Sequence, residues 1–208
     1  VLNELRQQHV DWTMRVKDVG FLPEDELHNK FTNMTPYEIG HAGPKVYPLK
    51  QIQMVAASAA SRDLQQIPFL IEMLGDENSA VRYWAAMGLL IRGETGVSAG
   101  QKNLRKAALT DGSASVRVIA AEGLGRYGDE QDVKIALAIL INAANAENEG
   151  PYVAMLALNA IDFMDERAVP LKEEIEKLPT KGDWVPSRGN AYVGNLIGKI
   201  LDDLKTGS

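Results

Sequence analysis

The chain contains no cysteine. That one absence excludes disulfides, thiolate nucleophiles and cysteine-ligated zinc, and it leaves the compartment open. Histidine is scarce: His9, His28 and His41 all fall in the first 41 residues. No pair of them has the i, i+4 spacing that would place two imidazoles on one helical face, so they read as surface or partner-facing groups rather than metal ligands. No apolar run approaches the roughly 20 residues that cross a bilayer. A basic excess is also missing. With 22 Lys and Arg against 28 Asp and Glu, the net charge is −6, which argues against a nucleic-acid partner that would demand a basic stripe. The densest basic run, Lys102, Arg105 and Lys106, reads as one solvated turn of helix.

What the chain does have is a phrase stated twice, 35 residues apart. Val81-Arg82-x-x-Ala85-Ala86-x-x-Leu89 recurs as Val116-Arg117-x-x-Ala120-Ala121-x-x-Leu124, each preceded at one offset by an aspartate, Asp76 and Asp111. Weaker copies start at Val153 (Ala157, Leu158, Ile161) and at Ile52 (Ala56, Ala57, Ala60). Self-similarity with this period indicates stacked supersecondary units. The apolar positions occupy a single helical face, and paired alanines permit close approach of a neighbouring helix. Asn78, Ser113 and Gly150 stand three residues before the three clearest phrases, where N-caps belong, and Pro151 follows Gly150 at the favoured first helical position. Intervening helices are expected near 64–74, 102–109, 132–144 and 168–178, with a final one near 191–204.

Ahead of the repeats, Leu2, Leu5, Trp12, Val16 and Val19 are spaced as in an amphipathic helix, which Gly20 should end. Phe21-Leu22-Pro23 opens a second segment with Glu24, Asp25 and Glu26 in its first turn, where the helix dipole favours acids. Thr35-Pro36-Tyr37-Glu38 reads as a capping box, and residues 40–48 as a loop. The Val1 start carries no signal peptide and no methionine, and reads as a cut inside a longer chain.

Several patterns could carry chemistry. Asp76 with Arg82 and Asp111 with Arg117 could be acid–arginine pairs, but a catalytic pair is needed once and a structural ladder in every repeat, so they read as the latter. Asp162, Asp165 and Glu166 lack the EF-hand spacing and read as a polar turn. Gly123-x-Gly125-x-x-Gly128 has the dinucleotide spacing at a helix end, the wrong context, with Gly128 a C-cap. Tyr83, Trp84, Tyr127 and Tyr152 read as packing aromatics, with sugar or peptide binding as the alternative.

The whole pattern resembles a HEAT-type stack: an all-α superhelix of antiparallel helix pairs with atypical capping helices. More specifically, Asp18 to Glu24, Pro36-Tyr37-Glu38, Tyr47-Pro48-Leu49, Val81 to Ala86 and Ala157-Leu158-Asn159-Ala160 resemble the C-terminal extension of a bacterial sulfatase group, in which a HEAT-like domain follows an alkaline-phosphatase-like catalytic domain. The resemblance implies a parent that hydrolyses sulfate esters outside the cytoplasm (periplasmic or secreted), with calcium and a formylglycine made in a Cys/Ser-x-Pro-x-Arg motif. Trp184-Val185-Pro186-Ser187-Arg188 imitates that motif, but tryptophan stands where the convertible residue must be. No catalytic, cofactor or metal residue is therefore assigned to this chain. The expected organisation is a cap and connection to an upstream domain over 1–48, repeats over 49–178, and a loop with a capping helix over 179–208. Trp184 should pack down as a lid. The expected partners are the parent's own catalytic domain and a second copy, through an apolar patch near Trp12. A free-standing interaction scaffold is the alternative.

Overall fold

The structure is a computed structural model of the 208-residue chain; it describes residues 1–184 and 187–206, apart from the side chains of Asn3 and Thr206. Among the described residues there are helices and no strands. α1 spans Leu2–Val16, α2 Pro36–His41, α3 Leu49–Ser61, α4 Ile67–Met73, α5 Ser79–Ile91 and α6 Gly93–Thr110. They are followed by α7 Ala114–Tyr127, α8 Glu130–Ala143, α9 Ala146–Asp162, α10 Lys172–Ile175 and α11 Gly189–Thr206. Two layers result. α3, α5, α7 and α9 pack side by side in one, closed by α11, and α4, α6 and α8 line the other.

The repeated phrase builds the first layer. Val81, Ala85, Ala86 and Leu89 of α5, and Val116, Ala120, Ala121 and Leu124 of α7, are completely buried. Asn78 caps α5 by accepting from the Ala80 and Val81 amides, and Ser113 caps α7 by accepting from Val116. Gly150 takes φ 79° and ψ 165° inside α9, splitting it so that Pro151 starts a second helical stretch. A side chain there would be strained, because L-residues avoid that conformation. The Ile52 copy departs from the phrase. Ala57 and Ala60 are exposed, and α3 instead buries Val55 and Ala59, because it ends its layer and has a repeat on one side only.

Four boundaries differ from the sequence expectation. α1 stops at Lys17, in left-handed conformation (φ 56°), rather than at Gly20. Residues 26–30 form a π-helical turn rather than a regular helix. α6 begins at Gly93, nine residues before Lys102. Near 168–178 there is a 3₁₀ segment, Asp165–Leu171, and then the single turn α10, since Pro170 supplies no amide to an α-helical ladder. Thr35 does form the capping box with Glu38.

Candidate functional site

Two features stand apart from the regular stack: a strap that crosses its first layer, and the helix α1 that the strap carries.

The strap, residues 18–31, reaches residues far away in the chain. The Glu26 carboxylate, 5% exposed, accepts from Ser79 Oγ at 2.6 Å and from Ser113 Oγ at 2.8 Å. Those serines sit at the starts of α5 and α7, so one negative charge serves two helix N-termini whose dipoles favour it. Lys30 Nζ completes the cluster, 3.4 Å from Glu26 and 3.0 Å from Ser79 Oγ. Asp25 accepts from Ser115 on α7. Burial pushes its carboxyl above the ordinary value of 3.8, against the Ser115 hydrogen bond, and the neighbouring Glu26 charge pushes the same way. Trp84 donates its indole N–H to Phe21 O at 2.8 Å, and the two rings meet edge to face. His28 stacks flat on Tyr152 of α9 at 4.6 Å. Burial, with the nearby Asp25 and Glu122 carboxylates, raises the Tyr83 phenol to about 12.

The aromatic set therefore divides. Tyr83, Trp84 and Tyr152 lie beside the strap, while Tyr127 packs near Arg126 and Gly93. The parts of α5, α7 and α9 that carry Ser79, Trp84, Ser115 and Tyr152 are covered by the strap of the same chain. The Phe21-Leu22-Pro23-Glu24 phrase was visible in sequence; that it crosses three repeats was not, because no local signal encodes contacts between residues as distant in the chain as Asp25 and Ser115 or His28 and Tyr152.

The acid–arginine ladder is offset by one repeat. Arg82 does not pair with the Asp76 carboxylate but donates to the Asp76 and Glu77 carbonyls at 2.9 and 3.0 Å. Its other nitrogens grip Asp111 of the next repeat. Arg117 likewise donates to Asp111 O and lies 3.6 Å from Glu149, while Gln51 donates to Asp76. Arg105, 34% exposed, pairs with Asp129 and Asp132 at the start of α8, while Lys102 and Lys106 of its run are exposed. Asp162 is bound by Lys199 of α11 at 2.7 Å. Gly125 admits Met164, whose sulfur would lie 2.6 Å from an added Cβ, so these glycines serve packing. Arg92, unremarked in sequence, is buried and donates to the Ser58, Ala59, Asp63 and Gly88 carbonyls.

α1 is the opposite case. Among its described side chains only Val10, Thr13 and Met14 turn toward the stack, with Gln53 donating to Thr13. Leu2, Leu5, Trp12 and Val16 are 62, 56, 49 and 44% exposed, and with His9 they follow an a/d spacing along one face.

Residues 67–90 match the family model of the HEAT repeat. That segment is α4 with α5 up to Leu90, and the following helix pairs stack on it in the same way. The fold is an all-α, HEAT-like helical repeat. Among curated proteins none matches it. Among the described residues no three His, Cys, Asp or Glu converge as a metal site, and no helix is long and apolar enough to cross a membrane. Trp184 packs beside Gly182 and Gly189. Its indole cannot become an aldehyde, so the residues here do not fit a formylglycine centre; Val185 and Pro186 of that imitation motif lie outside the described residues.

Proposed function

We propose that this domain is a non-catalytic interaction module that docks on another protein body through the apolar face of α1, with the strap fixing α1 to the repeat stack. The observation that carries this reading is the exposed row Leu2, Leu5, Trp12 and Val16. A helix of this length is marginal in water by itself, and contiguous exposed apolar surface marks interaction sites. Protein interaction is also what a HEAT repeat supports, and the strap covers parts of α5, α7 and α9 while the α1 row stays open.

The finer reading follows the sequence resemblance: the partner body is the catalytic domain of a sulfatase-like hydrolase in the same polypeptide, periplasmic or secreted, with calcium and formylglycine held there and not here. The domain would shape substrate approach or mediate oligomerisation. Sequencing the coding frame upstream of Val1 tests it. A frame with a Cys/Ser-x-Pro-x-Arg motif and a secretion signal supports the sulfatase parent. A start codon directly before Val1 overturns it and leaves a free-standing scaffold.

A further inference from the structure

A separate groove lies at the N-terminal end of the stack, on the other side of α1 from the apolar row. It has a volume of about 610 Å³, with Met14, Tyr47, Leu49 and Met54 as its apolar lining and Lys17 and Lys50 among its lining residues. Tyr47 and Leu49 are buried, while Met54 is 53% exposed, so the groove has a firm floor and one adaptable wall.

Its electrostatics run against the whole. The chain carries −6, yet among the described residues no carboxylate lines this groove. Of the carboxylates next to lining residues, Asp18 accepts from the Gly20 amide, and Asp76 from Gln51 and the Asn78 amide. Lys17 and Lys50, and Lys45 in the adjoining loop, form no ion pair among the described residues.

We propose that this groove is a docking site for an acidic peptide segment of a partner protein, which seats one bulky apolar side chain on Tyr47, Leu49 and Met54 and places flanking carboxylates on Lys17 and Lys50. The volume suits one large side chain with its backbone. The lysines are exposed and flank the apolar floor, which matches residues on either side of an anchor rather than a compact ion. Opposed charge of this kind selects partners and speeds encounter. The proposal stands whether or not the body docked on α1 is a sulfatase.

The test uses the intact chain and labelled ten-residue peptides, rich in Asp and Glu, that carry one Leu, Phe or Trp, alongside lysine-rich counterparts. Fluorescence anisotropy should show saturable binding of an acidic peptide that weakens as salt rises. In Lys17→Glu/Lys50→Glu affinity should fall roughly tenfold, the sum of two exposed ion pairs, and the lysine-rich peptide should then bind better than the acidic one. Methionine-methyl NMR shifts should localise to Met14 and Met54 and persist in Trp12→Glu, which removes the α1 row. Failure of every acidic peptide to bind at 1 mM would overturn the proposal. So would equal binding of the two peptide classes, or shifts that leave Met14 and Met54 unmoved.

Discussion

Arg82 of one repeat holds Asp111 of the next in a fork, with Nε and a terminal nitrogen each 2.7 Å from a different carboxylate oxygen. The two side chains are 17% and 7% exposed, so water screens the pair poorly. Asp111 in turn accepts from the Ser113 amide, tying the fork to the cap of α7. Arg82→Ala should cost about 2 kcal/mol, because it strands a nearly buried carboxylate. Arg82→Lys should recover only part of this, since an ammonium cannot reproduce the fork. Urea unfolding of both variants checks the order.

Arg92 is a second prediction. It is 8% exposed and donates to carbonyls at the end of α3, the turn after it and α5. Arg92→Met keeps the stem and removes the charged donors from the Ser58, Ala59, Asp63 and Gly88 carbonyls, the first three of which keep a neutral donor. A loss of about 3 kcal/mol is expected, visible as a lower urea midpoint.

The strap gives a third. Glu26→Ala removes the acceptor shared by Ser79 and Ser113 and the charge at two helix starts. Stability should fall by about 2 kcal/mol. Hydrogen exchange should quicken over residues 18–31 while α7 and α8 keep their protection. Uniform loss of protection across the stack would mean that the strap is not a separable unit.

Asp25 sets a pH dependence. Burial raises its folded carboxyl above the ordinary value of 3.8. The folded state therefore holds the proton more tightly than the unfolded one. Asp25 thus favours folding fully below pH 3.8, and that contribution is lost as pH rises through the raised value. Asp25→Asn cannot titrate and can still accept from Ser115. Relative to wild type it should gain stability as pH rises through that window and level off above it. Guanidinium midpoints of the pair from pH 3 to 8 check the sign.

The layered helices were legible because one phrase states register, burial and capping together: Val81 and Val116 mark the buried face, and Asn78 and Ser113 the starts. The terminal elements were less so. α3 follows the phrase at Ile52 and Ala56 but exposes Ala57 and Ala60, since an end helix lacks a second neighbour. The one-repeat offset of the Arg82 pair, the capping by Arg92 and the path of the strap all depend on distant contacts that residue spacing does not carry. The exposed row on α1 was readable as an amphipathic pattern, and an apolar patch near Trp12 was expected from the resemblance; that Val10, Thr13 and Met14 are the residues turned toward the stack was not.

The central claim is that α1 docks outward while the strap covers part of the first layer. A photo-crosslinking residue placed at Trp12, and separately at Tyr83, in the full gene product tests it most directly. The account predicts that position 12 captures protein outside residues 1–208 and that position 83 links only within the chain, to residues 18–31 and to α7 near Glu122. Capture of foreign protein at position 83, with none at position 12, would contradict it.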